Sequence, residues 1–171
     1  MPIGLYIHVP FCKRKCPYCD FYSQSVTPNT EIQYVDALIR NIHKYKNTEV
    51  DSIYFGGGTP SVLSDLSFQR IFSAINNNFR LIEPEISLEA NPCSIDLKKL
   101  EFFRDVGFNR ISFGVQSCVD SELKRLGRLH NFQQAKSAIL NAKIAGFENI
   151  SADLMIGIPE QTSESLSVSL A

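Results

Sequence analysis

The sequence has no hydrophobic run long enough to cross a bilayer, and its acidic and basic residues nearly cancel. A membrane-spanning helix needs about 20 consecutive, predominantly apolar residues, and no stretch of this chain approaches that length. The formal net charge is −1, so the composition does not indicate a surface that binds nucleic acid or another polyanion. The N-terminal segment MPIGLYIHVPF also lacks the apolar region and the small-residue cleavage site of a secretory signal peptide. We therefore expect a cytoplasmic protein without a membrane span or a nucleic-acid partner.

The composition is otherwise that of a soluble globular protein, with 44% hydrophobic and 20% charged residues in a chain of 171. There are five cysteines, and three of them fall within eight positions: Cys12, Cys16, Cys19, Cys93 and Cys118. An odd number with this crowding argues against a secreted disulfide framework, because clustered cysteines in a reducing cytosol are more often metal ligands or catalytic groups. Cys93 and Cys118 are isolated, and we expect them to be small buried side chains.

Short runs rich in β-branched and aromatic residues alternate with longer amphipathic segments along the whole chain. The predicted strands are residues 5–9, 52–55, 85–88, 110–113 and 150–155. The predicted helices are residues 29–45, 65–75, 96–106, 120–126 and 132–145, and another helix is predicted from Ser163 onward. The strand runs look apolar rather than cleanly alternating, so we expect both faces of the sheet to be covered.

This alternation predicts an α/β fold with parallel strands. The alternation is regular, and no change in composition marks a second domain, which favours a barrel or partial (βα) barrel over a doubly wound sheet. The pattern stops just after the fifth strand, whereas a complete eight-fold barrel has about 250 residues. We therefore expect residues 1–171 to form a single incomplete barrel domain, truncated from a longer protein.

Unusual polar or glycine-rich residues follow every predicted strand. They are the cysteine loop, Gly56–Pro60, Glu89–Pro92, Gly114–Ser117, and Asp153 with Gly157–Pro159. Functional groups of parallel α/β folds lie at the C-terminal ends of the strands. Glycine and proline also mark ordinary turns, so a single segment is weak evidence of a site. The agreement of all five predicts a functional rim at one end of the sheet.

The loop FCKRKCPYCDFYS offers three thiolates with the spacing Cys12-x3-Cys16-x2-Cys19. A structural zinc site needs four ligands, usually in two separated pairs. The chain has no second CxxC pair, and His8, on a predicted strand, is expected to pack in the core. A thioredoxin-type site would use only two of the cysteines. Iron–sulfur cubanes are normally held by four thiolates, and three would leave one iron open to a small molecule. The spacing favours a [4Fe-4S] cluster, and a zinc-stabilised, non-redox βα protein is the alternative.

This loop, with Tyr18 before its last cysteine, resembles the CxxxCxΦC motif of the radical S-adenosylmethionine (SAM) superfamily. The segments LYIHVPFC, YFGGGTPS, ISLEANP, NRISFGVQS, LKRLGRLH and DLMIGIPEQT resemble the oxygen-independent coproporphyrinogen III oxidase-like branch of that superfamily. The resemblance covers the whole chain. That branch contains both oxidases and heme chaperones.

The resemblance implies that Cys12, Cys16 and Cys19 hold a [4Fe-4S] cluster. It also implies that SAM chelates the open iron of this cluster and that an electron from the cluster cleaves the sulfonium of SAM. It implies that three residues contact the cluster-bound SAM: Tyr6, Gly57 and Glu89. It further implies that five residues match a second SAM site of the oxidases: Gly58, Thr59, Gln116, Arg128 and Asp153. No residue is assigned a separate catalytic role.

Two departures from the oxidase pattern favour the heme chaperones. The oxidases have a further cysteine two residues after the third cluster ligand, where this chain has Phe21, and they have a longer segment before the first strand. The resemblance therefore implies a chaperone that binds heme or porphyrin, passes heme to acceptor proteins, and receives electrons from a donor such as flavodoxin or ferredoxin. The alternative is a radical enzyme that decarboxylates coproporphyrinogen III to protoporphyrinogen IX.

Overall fold

A computed structural model describes all residues from Met1 to Ala171, and its five strands form one parallel sheet in chain order. The strands are β1 (Ile3–Val9), β2 (Thr48–Gly57), β3 (Phe79–Ala90), β4 (Arg110–Gln116) and β5 (Asn149–Leu154). The helices are α1 (Pro28–Ile42), α2 (Asp65–Asn78), α3 (Leu97–Val106), α4 (Asp120–Arg125), α5 (Phe132–Ile144) and α6 (Ser163–Leu170). A doubly wound sheet reverses its strand order, and this sheet does not. The predicted partial (βα) barrel is confirmed.

Every predicted strand and helix is present, and β2 and β3 are longer than predicted. β2 begins at Thr48 and β3 at Phe79, and these two residues pair with each other. The register shifts after Val50, which pairs with Leu81. Pro84 lies near this shift, in the part of β3 that was not predicted. A proline inside a run argues against a central strand, so the first half of β3 does not look like a strand in the sequence.

The two faces of the sheet differ sharply in polarity. One face is apolar and packs beneath the helices, with the buried residues Ile7, Val9, Ile53, Phe55, Ile86, Leu88, Ile111 and Phe113. The other face carries polar and aromatic side chains, among them Tyr6, His8, Tyr54, Glu89 and Asp153. The expectation that both faces are covered was wrong, because apolar and polar residues alternate along the strands and alternate residues point to opposite faces. For the same reason His8 is exposed rather than packed in the core.

The apolar face is held to α2 and α3 by a cluster of phenylalanine rings. Phe68 lies 5.0 Å from Phe103, 5.6 Å from Phe108 and 5.8 Å from Phe55, measured between ring centroids. Phe72 stacks nearly parallel on Phe55 at 5.7 Å. Tilted and edge-to-face aromatic pairs of this kind add to the stabilisation from buried area. The cluster therefore fixes the helices against the strands whose ends carry the predicted site.

Side-chain caps set where the helices begin. α1, α5 and α6 start with reciprocal capping boxes at Thr27, Asn131 and Thr162, which satisfy backbone N–H groups that have no partner within the helix. α3 ends at Gly107, whose φ of 116° is the left-handed conformation that favours glycine. None of these helices has the length and apolar character required to span a membrane.

We expect the Phe68→Ala substitution to lower the free energy of unfolding by about 3–5 kcal/mol, because it empties the centre of a fully buried aromatic cluster. Urea unfolding followed by circular dichroism measures the change. Tyr45→Ala is the matched control, since the Tyr45 side chain lies outside the core with 59% of its surface exposed. Equal losses in the two variants would contradict this account of the core.

Candidate functional site

The loop between β1 and α1 carries the three clustered cysteines and is closed at its base by backbone hydrogen bonds. The Cys12 amide donates to the Gln24 carbonyl at 3.0 Å, and the Gln24 amide donates to the Pro10 carbonyl at 2.9 Å. Phe11 is fully buried at the base, with its ring edge-on to Tyr34 at 5.4 Å. The three cysteines are free thiols, each half-buried. The loop thus presents its sulfur atoms from a fixed base.

Two of the three sulfur atoms accept hydrogen bonds from other parts of the chain. The Thr59 hydroxyl lies 3.4 Å from Cys12 Sγ, and a terminal nitrogen of Arg128 lies 3.7 Å from Cys16 Sγ. Donors of this kind orient ligand sulfur atoms and tune the centre that they hold. Nowhere do three His, Cys, Asp or Glu side chains converge closely enough to share a single metal ion. In a cubane the protein thiolates bind different iron atoms, so the donor set is compatible with a cluster.

The glycine segment after β2 lies directly against the base of the cysteine loop. The Gly58 amide donates to the Val9 carbonyl at 2.8 Å, and the Thr59 amide donates to the Phe11 carbonyl at 2.7 Å. A Cβ atom on Gly58 would lie 2.6 Å from the Phe11 carbonyl oxygen, and one on Gly57 would lie 2.5 Å from the His8 ring. Gly57 also has a φ of 107°. This close approach therefore requires residues without a side chain.

Glu89, at the end of β3, is held by donors from β2. The Tyr54 hydroxyl donates to one carboxylate oxygen at 2.6 Å, and the Gly57 amide donates to the other at 3.1 Å. Burial and then the hydrogen bond to Glu89 raise the pKa of Tyr54 well above its usual value, so the phenol remains a donor at neutral pH. The Tyr6 ring stacks on Tyr54 at 6.1 Å, and its hydroxyl lies 3.0 Å from His8 Nδ1. This arrangement fixes the orientation of the carboxylate.

Gln116 and Asp153 occupy the ends of β4 and β5. Gln116 has a φ of 72°, an uncommon conformation for a residue other than glycine, at a point where the β4–β5 register shifts. Strained backbone of this kind concentrates at functional sites. The Gln116 carbonyl accepts from the Met155 amide at 2.9 Å, and the Ser112 hydroxyl donates to Asp153 at 3.0 Å. Both side chains face the same cleft.

That cleft has a volume of about 340 Å³ and brings together eight of the residues predicted from the sequence: Cys19, Gly57, Gly58, Thr59, Glu89, Gln116, Arg128 and Asp153. Tyr18 and Phe21 of the cysteine loop also line it. Three predicted site residues do not line the cleft: Tyr6, Cys12 and Cys16. Cys12 and Cys16 contact the lining residues Thr59 and Arg128, respectively. Tyr6 stacks on Tyr54, which is bonded to the lining residue Glu89. A larger open groove of about 850 Å³ beside the start of α3 contains none of the predicted site residues.

Comparison with known proteins assigns this arrangement to a family. The radical SAM superfamily profile matches residues 6–170. The chain belongs to the radical SAM superfamily. It is 39% identical over 173 residues to the heme chaperone HemW of Haemophilus influenzae, a match that covers 95% of this chain and 45% of that protein. It is 36% identical over 177 residues to the oxygen-independent coproporphyrinogen III oxidase of Salmonella typhimurium, covering 99% of this chain and 38% of that protein.

Among solved structures, coproporphyrinogen III oxidase (HemN) from Escherichia coli, a radical SAM enzyme, resembles this chain with a TM-score of 0.91 and 31% identity. That match covers 99% of this chain and 40% of HemN. The chain thus spans less than half the length of these relatives. Membership of the radical SAM superfamily implies a [4Fe-4S] cluster and SAM, and the donors at the cysteine loop and cleft suit both.

The structure adds Tyr54 to the candidate site, through its hydrogen bond to Glu89, and the sequence did not predict this residue. Tyr54 lies two residues after Ser52 in SIYF and two before Gly56, so all three share one face of the sheet. The alternation along β2 therefore indicates that Tyr54 lies on the polar face.

The other two cysteines differ from expectation, since both are half-exposed rather than buried. The Cys93 thiol lies 3.3 Å from Asn91 Oδ1, and burial raises the pKa values of both Cys93 and Cys118.

His130 anchors the turn that carries Arg128. Its Nε2 lies 3.1 Å from the Val115 carbonyl, while Nδ1 is buried without a partner. Burial and then the positive charge of Arg128 lower the pKa of His130 below its ordinary value of 6.5. The imidazole is therefore neutral at pH 7 and donates from Nε2 to the carbonyl.

We expect the radical SAM domain to lose stability below pH 6.5, because the unfolded chain then binds a proton at His130 that the folded chain excludes. His130→Gln removes this contribution, so its free energy of unfolding should fall less between pH 7 and pH 5 than that of the unsubstituted protein. Urea unfolding at both pH values measures the difference, with His43→Gln on the surface as the control. An unchanged pH dependence in His130→Gln would refute the assignment.

Proposed function

We propose that residues 1–171 are the radical SAM core, in incomplete form, of a cytoplasmic heme chaperone of the HemW type that acts in porphyrin and heme metabolism. The observation that carries the proposal is Phe21. Its side chain lines the cleft with 65% of its surface exposed, at the position where the oxidases of this branch have a further cysteine. The 39% identity to HemW of Haemophilus influenzae supports the same choice.

In this proposal, Cys12, Cys16 and Cys19 hold a [4Fe-4S] cluster. When bound, the cluster supplies an electron to the sulfonium of SAM. Thr59 and Arg128 donate to the ligand sulfur atoms and would stabilise their negative charge. The exposed cations Lys13 to Lys15 lie in the same loop and would offset the net negative charge of the centre.

Tyr6, Gly57 and Glu89 would contact the SAM molecule bound to the cluster. The Glu89 carboxylate is already oriented by Tyr54 and by the Gly57 amide. It can accept hydrogen bonds from an ammonium group without reorganisation, because both of its oxygens have unused lone pairs. The bare backbone at Gly57 leaves room for a ligand to approach its polar groups.

A second SAM molecule would be bound by further residues of the cleft. The residues assigned to it are Gly58, Thr59, Gln116, Arg128 and Asp153, all of which line the cleft. The complete protein would bind heme or porphyrin, pass heme to acceptor proteins and receive electrons from flavodoxin or ferredoxin.

A second candidate is an oxygen-independent coproporphyrinogen III oxidase. The similarity to HemN of Escherichia coli, with a TM-score of 0.91, favours it. The two candidates share the cluster and the SAM cleft, and within this domain they differ at Phe21. They differ in whether the complete protein turns over coproporphyrinogen or carries heme.

Anaerobic reconstitution tests the cluster. We expect about four irons and four acid-labile sulfides per chain, and a loss of most of both in single Cys12→Ala, Cys16→Ala or Cys19→Ala variants. Cys118→Ala, a substitution of a half-exposed cysteine outside the loop, is the control and should keep the full content. Stoichiometric zinc without acid-labile sulfide would instead favour the zinc-stabilised alternative.

Assays of the full-length protein distinguish chaperone from oxidase. We expect a heme titration to show saturable binding with a Soret shift, and anaerobic incubation with coproporphyrinogen III, SAM and a reductant to show no decarboxylation. The expectation rests on Phe21, which places an aromatic ring in the cleft where the oxidases have a further cysteine. Turnover comparable to that of an established oxidase under the same conditions would overturn the chaperone proposal.

A further inference from the structure

The turn after α4 lies against the cysteine loop although more than 100 residues separate the two in the sequence. Gly127 packs on Pro17, and a Cβ atom at Gly127 would lie 2.8 Å from the Pro17 ring. The next residue, Arg128, reaches Cys16 Sγ at 3.7 Å and the Tyr18 hydroxyl at 3.4 Å. The turn and the loop therefore touch at three consecutive residues of the loop.

The Arg128 guanidinium is fixed at its other end by the sheet. Its second terminal nitrogen donates to the Gly114 carbonyl at 2.5 Å, at the end of β4. The remaining nitrogen, Nε, is buried without a partner. The planar fork of arginine holds its donors in a fixed relation. A guanidinium anchored to the sheet therefore holds the donor nitrogen beside Cys16 in one place.

Donors to a ligand sulfur affect an iron–sulfur cluster in a known direction. Reduction adds negative charge to the cluster, so hydrogen bonds to its sulfur atoms and nearby fixed cations favour the reduced form and raise the reduction potential. A half-buried cation is screened less by salt than an exposed one. Lys13, Arg14 and Lys15 are all exposed, so their influence on the cluster is weaker than that of Arg128.

We propose that Arg128 is a positioning residue that holds Cys16 and raises the reduction potential of the cluster, in addition to any contact with SAM. This inference rests on the proposed cluster site. The two roles of Arg128 are separable, because the potential is measured in the absence of SAM. A residue that only binds the second SAM molecule would leave that potential unchanged.

The test is a redox titration of the reconstituted protein without SAM, monitored by electron paramagnetic resonance of the reduced cluster. We expect Arg128→Gln to lower the ratio of reduced to oxidised cluster about tenfold at a fixed potential, which is about 59 mV for a one-electron couple. Arg128→Lys keeps the positive charge but lacks the planar guanidinium, so it should lower the ratio of reduced to oxidised cluster less than Arg128→Gln does. Arg125→Gln, at an exposed arginine of α4 paired with Glu160, is the matched control and should not change it.

The outcomes separate this inference from the proposed function. Failure of the unsubstituted protein to bind iron and sulfide would overturn the proposed cluster site itself. A fully loaded Arg128→Gln variant with an unchanged ratio would overturn the role of Arg128 and leave the cluster site intact. If Arg128→Gln does not load fully, Arg128→Lys decides, and an unchanged ratio in that variant would overturn the inference.

Discussion

The site depends on two backbone hydrogen bonds that join the end of β2 to the end of β1. They run from the amides of Gly58 and Thr59 to the carbonyls of Val9 and Phe11, and they continue the parallel pairing one step beyond the sheet. Through them the Thr59 hydroxyl reaches Cys12 Sγ. A larger residue at Gly58 would push the two segments apart. The sulfur atoms and the glycine backbone are therefore brought together by main-chain geometry rather than by side-chain packing.

The difference between the two faces of the sheet explains how one small domain both folds and binds. The apolar face and the helices supply the buried phenylalanine cluster, which drives folding through the loss of apolar surface to water. The open face is thereby left to polar pairs such as Tyr54 with Glu89 and Ser112 with Asp153. Each strand contributes to both, because alternate residues face opposite sides.

The alternation of strands and helices, the polar residues at the strand ends and the spacing of the cysteines could be predicted from the sequence, because each depends on local patterns. The spacing of Cys12, Cys16 and Cys19 needs no knowledge of the fold, and neither does the alternation of strands and helices. What the sequence could not show was contact between distant segments. No local pattern places Arg128 beside Cys16, and nothing near Glu89 in the chain indicates that Tyr54 holds it. Short strand runs also concealed the alternation that exposes His8.

The hydrophobic core of the fold does not include the proposed cluster site. In zinc fingers the metal supplies the folding free energy, and the apo form is unfolded. Here the main core contains 28 buried residues, and none of them comes from the cysteine loop beyond Phe11 at its base. The loop is instead held by polar contacts from Thr59, Arg128 and Gln24. In the proposed cluster site these contacts would hold the thiols in place before the cluster binds. The core lies outside the loop, so we infer that the sheet does not need the cluster to fold.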